Sequence, residues 1–206
     1  MANNTIKRPD RYKPLKKSAI KNMRAIFEGI RDGRLKHIQN SWHCGSAHCI
    51  FGWKITLDAA RMARVPQLIN MNFDKVWPDK MRTKVWEVNK KLTEAYKKAT
   101  DATDERISID IFRDRDVSSY AEAIWGLTPE ESAEVAQGSN TIENLFEILE
   151  HFEQGRRHHA VNDVNGDISF KWLDKETLDL MWAEERKQLL KELQEVQKTE
   201  SIVEVL

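Results

Sequence analysis

The chain has 206 residues, 40 % of them hydrophobic and 32 % charged, with 33 Lys/Arg balanced by 33 Asp/Glu. That length can bury a core without metal or disulfide staples, and the composition suits a soluble, charge-rich helical protein better than a membrane protein or a disordered one. No apolar run approaches the roughly 18 residues of a spanning helix, and the Lys/Arg-rich N-terminus lacks the apolar stretch of a signal peptide. With two cysteines five positions apart, too few for a disulfide framework, the expectation is a cytoplasmic protein that keeps both thiols reduced and does not associate with membranes.

The neutral total hides an asymmetry. Residues 1–37 hold eleven Lys/Arg against three acids, a net of +8, so the rest of the chain carries −8. Residues 1–15 contain Pro9 and Pro14 and no apolar period, and read as an extended basic arm. Lys13, Lys16 and Lys17 are its candidate anion-binding residues. The other reading of this block is an arm that packs against the protein's own acidic surface.

Behind the arm, Ile20, Met23, Phe27 and Ile30 recur at helical steps until Gly33, which predicts an amphipathic helix. A second helix is expected from Ile50 through Trp53, Leu57 and Ala60, ending at or before Val65 because Pro66 follows. Val85, Val88, Leu92 and Tyr96 mark a third, over Lys84 to Lys98. Ile107, Ile109 and Ile111 alternate with polar residues as one short strand would, and the Asn165-Gly166 turn, flanked by Val161, Val164, Ile168 and Phe170, predicts a small hairpin to partner it. Ser118 or Ser119 is expected to start a helix that stops at Gly126. Thr128-Pro129-Glu130-Glu131 then sets an N-cap, an N1 proline and two acids in sequence, and Gly138 closes that short helix. Thr141 caps another, with Leu145, Phe146, Leu149 and Phe152 on one face and Gly155 as its stop. From Asp174 a long, highly charged helix carries Leu178, Trp182, Leu189, Leu193 and Val196, suited to docking along one stripe or pairing with a second copy.

These elements predict a mainly α, single-domain, helical bundle-like fold with one small β-hairpin. The segments are the arm at 1–15, a helical core domain at 16–173 and a C-terminal helix at 174–206.

The densest chemistry lies in Trp42-His43-Cys44-Gly45-Ser46-Ala47-His48-Cys49-Ile50-Phe51-Gly52-Trp53, which gathers both cysteines, two of six histidines and two of seven tryptophans. Three readings compete. If Cys44 stands at a helix start, the free N–H groups and helix dipole lower its pKa, and His48 four residues on can take its proton, with His158, His159 and Asn162 as remote partners in a thiol enzyme. Metal needs two separated ligand pairs, and the chain has no second cysteine pair, so no metal or other cofactor is expected. The third reading is packing, in which Cys49 is a small apolar core residue beside Ile50 and Trp53. Asp163-Val164-Asn165-Gly166-Asp167-Ile168 has the look of a calcium loop, but its register puts Val161 and Trp172 at obligatory ligand positions, so it reads as a turn.

The pattern Trp-x-Cys-Gly-Ser-x-x-Cys-Ile-x-Gly-Trp, followed by Trp125-Gly126-Leu127-Thr128-Pro129-Glu130-Glu131 and Gly138-Ser139-Asn140-Thr141, resembles a group of small uncharacterised bacterial and bacteriophage proteins. That group carries a CGT-x-x-C-x-x-G segment and an LGLT-type cap. The resemblance covers about residues 40–57 and 118–152, with Ser46 in place of threonine and Trp125 in place of leucine. The 62–117 segment and the C-terminal helix are additions to the pattern. It implies a compact helical core and a phage origin, with no reaction attached. The resulting expectation is a non-catalytic binding protein, a phage-encoded accessory acting on a host protein or a small anionic host ligand. Trp42, His43, Ser46 and Trp53 join Lys13, Lys16 and Lys17 as candidate binding residues. The alternatives are a thiol enzyme using Cys44 and His48, and a nucleic-acid binder using the arm. A homo-oligomer through the C-terminal helix is the other partner expectation.

Overall fold

The computed structural model describes residues 6–37, 43–44, 47–64, 66, 69, 79–162 and 167–203. The protein is mainly helical: the described residues form seven α-helices and two small antiparallel strand pairs. None of these helices is long and apolar enough to cross a membrane. By its contacts the chain divides into two compact units, one of Leu15–Glu153 and one of Met1–Pro14 with Gln154–Leu206. This division groups the arm with the hairpin and the last helix, across the 1–15, 16–173 and 174–206 segments read from sequence.

In the larger unit α1 (Lys17–Arg31) buries Ala19, Met23, Ile26 and Phe27. Helix α2 (Ile50–Ala63) is the central rod. From Ile50 to Ala60 every residue but Leu57 is buried, the pattern of a helix enclosed on all sides. It ends where Arg64 turns left-handed at φ 55°, before the bound that Pro66 sets on a helix. Helix α3 (Asp79–Thr100) packs on α2 through Val85, Val88 and Leu92 and extends beyond the predicted span at both ends.

The alternating isoleucines do not form a strand. Ile109 and Ile111 are buried, but side chains satisfy their backbone: Thr93 Oγ1 accepts from Ile109 N at 2.8 Å and Asn89 Oδ1 from Ile111 N at 3.2 Å. With those groups already paired no ladder is needed.

Helix α4 (Asp114–Trp125) starts four residues before Ser118, because its buried face begins at Val117 and continues through Tyr120 and Ala121. Gly126 closes it at φ 74°. Helix α5 (Pro129–Ala136) has a full capping box: Thr128 Oγ1 accepts from Glu131 N and Glu131 accepts from Thr128 N. Gln137 at φ −57°, and not Gly138, terminates it. Helix α6 (Ile142–Glu153) is capped by Thr141, whose hydroxyl accepts from Asn144 N. It lies on α1, with Phe27 edge-on to Phe146 at 6.0 Å and Arg24 bound to Glu153 at 2.5 Å.

In the smaller unit β3 (Arg157–Asn162) and β4 (Ile168–Leu173) pair from Arg157↔Leu173 to Asn162↔Ile168. The Asn165-Gly166 turn itself lies outside the described residues, but the hairpin it predicts is present and pairs with itself rather than with the isoleucine segment. Asp174 caps α7 (Lys175–Val203) by accepting from Thr177 N at 2.8 Å. Tyr12, Leu178 and Trp182 form this unit's core, with Ile6, Leu173, Met181 and Leu189 around it.

The arm is not extended throughout. A 3₁₀ turn at Asp10–Tyr12 buries Tyr12, and the buried Arg157 guanidinium donates to the carbonyls of Asp10, at 2.9 Å, and Lys13. His159 Nε2 meets Arg11 O at 2.8 Å while its ring stacks on Tyr12. Buried donors from β3 thereby take up carbonyls that an extended arm would leave to water.

Candidate functional site

In the Cys/His/Trp segment, β1 (His43–Cys44) and β2 (Ala47–His48) form a short antiparallel ladder with His43 opposite His48 and Cys44 opposite Ala47. Helix α2 begins only at Ile50, with Cys49 at its N-cap. The position that the thiol reading gave Cys44, at a helix start, therefore belongs to Cys49. Cys49 is 6 % exposed and its Sγ accepts from Gly52 N at 3.3 Å, so it acts as a cap and a core residue together. Trp42 and Ser46 lie outside the described residues, as do the side chains of His43, Cys44 and His48. Trp53 is closed to any ligand: it is 2 % exposed and donates from Nε1 to Lys36 O at 2.9 Å.

One turn further along α2 lies a charge cluster that the sequence reading missed. Lys54 Nζ and Tyr120 Oη both donate to Asp58 Oδ2, at 2.7 and 2.9 Å, and Arg61 Nη2 donates to Oδ1 at 2.9 Å. Burial pushes the Lys54 ammonium below its ordinary pKa against the pull of Asp58, and burial with the neighbouring carboxylate raises the Tyr120 phenol. Perturbed groups of this kind mark either active sites or structural ion-pair networks. Here Lys54, Asp58 and Tyr120 are each at most 3 % exposed and only Arg61 reaches solvent, which fits a structural ion-pair network.

Among the described residues of this unit, an open groove lies where α3 meets the 107–113 segment. Trp86 is 68 % exposed, since the Val85-Val88-Leu92 stripe that docks α3 on α2 turns its neighbour outward. Beside it a groove of about 470 Å³ is lined by Asn89, Lys90, Thr93, Glu94, Lys97, Asp110 and Arg113. Its floor is fixed. Asn89 Nδ2 donates to Asp110 Oδ1 at 3.0 Å, Phe112 N donates to the same oxygen at 3.1 Å, and Asp116 Oδ2 accepts from Asp110 N at 2.9 Å. Asp110 stays at the groove wall, its Oδ2 3.8 Å from Arg113 Nε, and Lys90 and Lys97 line the groove with it. An aromatic ring among cations on a rigid polar floor suits a planar anion, through stacking and charge. The signal was legible: a tryptophan one position off a helical stripe faces away from the core.

In the smaller unit three of the arm's cations are engaged. Arg8 pairs with Asp179 at 2.6 Å, Arg11 with Glu185 at 2.5 Å, and Lys13 with Asp10 at 2.9 Å. Of the other two candidate lysines, Lys16 is the N-cap residue of α1 and Lys17 its first residue, both exposed. His158 stacks on Trp172 at 4.8 Å, which with the His159 contact gives both histidines packing roles. Among the described residues no group of three or more His, Cys, Asp or Glu is placed to hold a metal ion. Searches against protein-family models, curated proteins and solved structures found no match for the chain.

Proposed function

We propose that this protein is a non-catalytic binding protein whose ligand is a small planar anion held in the Trp86 groove. The observation that carries the reading is the 68 % exposure of Trp86 beside the Lys90, Lys97 and Arg113 side chains. A large aromatic ring left in water costs apolar burial, and a stacked ligand recovers it. The two rivals are less well supported. Thiol catalysis asked for Cys44 at a helix N-terminus, and that end of α2 is taken by Cys49. Nucleic-acid binding asked for free arm cations, and Arg8, Arg11 and Lys13 each have an acidic partner. A phage-encoded accessory that sequesters or senses a host metabolite, in line with the sequence resemblance, is the setting this reading fits.

The test is calorimetric titration with a panel of nucleoside mono- and triphosphates and aromatic carboxylates. At least one should bind, weaken as salt rises, and lose roughly tenfold or more in affinity in Trp86→Ala and in Arg113→Glu, the range for an interfacial aromatic or charge contact. Binding that is unchanged in both variants would overturn the site, and no binding across the panel would overturn the ligand class.

A further inference from the structure

We infer that the ligand of the Trp86 groove is a nucleotide recognised at the edge of its base by Asp110 and Arg113, an inference that rests on the reading of the groove as an anion site. Trp86, Asn89 and Lys90 line the groove, and their three- and four-residue spacing puts them on one face of α3. Asn89 fixes what stands beside the ring. Its Oδ1 accepts from Ile111 N at 3.2 Å and its Nδ2 donates to Asp110 Oδ1 at 3.0 Å, while Phe112 N donates to the same carboxylate oxygen at 3.1 Å. One oxygen of Asp110 is thus taken up in holding the segment. The other, Oδ2, has no hydrogen-bond donor among the described residues and lies 3.8 Å from Arg113 Nε, beyond hydrogen-bonding distance. Both partners of this loose pair reach solvent, the Asp110 side chain being 32 % exposed and that of Arg113 71 %.

An anchored acceptor next to an exposed donor complements a planar ring whose edge carries an N–H beside a lone pair. Nucleobases present that edge: N1–H beside O6 in guanine, N6–H beside N1 in adenine. An aromatic carboxylate presents acceptors alone, and its charge is repelled by Asp110. Charge along α3 places the phosphate. Lys90 lies one turn from Trp86, about 6 Å along the axis, within reach of a phosphate attached to a base that stacks on the indole. Glu94 stands a further turn along the same face and also lines the groove. It sets a negative charge where a longer phosphate chain would run, so a monophosphate suits the groove better than a triphosphate.

The experiment is calorimetric titration of the full chain with two matched pairs. One is GMP and 1-methyl-GMP, the other AMP and purine riboside monophosphate, and in each pair the second member lacks the N–H that Asp110 would accept. On the wild-type chain the natural member of the tighter pair should bind roughly tenfold or more better than its partner, the range for a hydrogen bond to a charged group. Asp110→Asn keeps an oxygen for Asn89 Nδ2 and Phe112 N but turns an amide N–H₂ toward the groove, so it should erase that difference without changing the melting temperature. The comparison on the wild-type chain decides the matter if this variant loses stability. A single-stranded hexanucleotide of the same base separates a free nucleotide from a strand, and it should bind no better than the monophosphate because Glu94 opposes a continuing backbone. Neither pair differing on the wild-type chain, a folded Asp110→Asn that keeps the difference, or a strand bound tenfold more tightly would overturn the inference. Phthalate bound as tightly as the nucleotides, with loss in Trp86→Ala, would overturn it and leave the anion site standing. Binding of every probe unchanged in Trp86→Ala would remove the site itself.

Discussion

Tyr120 donates its phenol to Asp58 Oδ2 at 2.9 Å from a point 62 residues away in the chain, and so ties α4 to the buried charge at the centre of α2. Lys54 and Arg61 complete the shell around the same carboxylate. A buried charge stripped of a partner costs more than the pair is worth when intact. Asp58→Leu, which strands the Lys54 ammonium, should therefore destabilise by about 3–5 kcal/mol. Lys54→Met should cost less, about 2 kcal/mol, because Tyr120 and Arg61 still serve Asp58. The double variant should fall well short of the sum, with a coupling of about 1–3 kcal/mol in urea unfolding. Strict additivity would mean that the two side chains do not share a buried environment.

Acid should release the arm. The Tyr12 phenol, and after it the Arg11 guanidinium, hold the Glu185 carboxyl below its ordinary value, and Lys175 with Arg8 does the same for Asp179. A depressed folded pKa means that the unfolded state takes up protons first as pH falls. The stabilisation is complete above the ordinary carboxylate range and is lost as pH drops through the folded values. Hydrogen exchange at Lys13 N–H, which bonds Asp10 O in the 3₁₀ turn, should lose protection between about pH 5 and pH 3 after correction for intrinsic rates. Glu185→Gln should already show reduced protection at neutral pH and respond less to acid. An arm equally protected across that range would contradict the assignment.

The sequence disclosed most where local chemistry decides structure. Thr128, Thr141 and Asp174 cap helices because each places a side-chain oxygen against its own first turn, and Gly126 stops one because glycine accepts a positive φ cheaply. Reading failed where a tertiary partner decides. The isoleucine segment alternates like a strand, yet Asn89 and Thr93, some twenty positions earlier, take its amide groups. Lys54 and Asp58 have the i,i+4 spacing common on exposed helix faces, and only the packing of α3, α4 and α5 on α2 makes the pair a buried one. For the site, the cysteine segment drew the eye by composition, whereas Trp86 had only its position beside the Val85-Val88 stripe to mark it. A residue's exposure depends on what covers the helix, and no single stretch of sequence states that.

Cys49 should behave as a cap and not as a nucleophile. Its sulfur accepts from Gly52 N and it is 6 % exposed, so native alkylation at neutral pH should be slow and should accelerate sharply in denaturant. Cys49→Ser keeps an N-cap acceptor and should fold with a stability close to wild type. Cys49→Ala loses the cap and leaves a small void, for about 1 kcal/mol or more. Mass-spectrometric labelling and urea unfolding of both variants check the pair. Rapid native labelling of Cys49, or equal stability for serine and alanine, would refute the capping role.

Two glycines on either side of α5 should respond in opposite directions to the same substitution. Gly126 sits at φ 74° and Gly138 does not take a positive φ, while an added Cβ meets nothing within 4 Å at either position. Crowding is thus absent from the comparison and backbone strain is left to act alone. Gly126→Ala forces a side chain into the left-handed region at the C-terminus of α4 and should destabilise by about 1 kcal/mol. Gly138→Ala meets no such penalty and restricts the unfolded chain, so it should be neutral or stabilising by up to about 1 kcal/mol. Thermal unfolding of the two variants side by side tests the difference. If Gly138→Ala proved as costly as Gly126→Ala, the left-handed geometry at Gly126 would not be what closes α4.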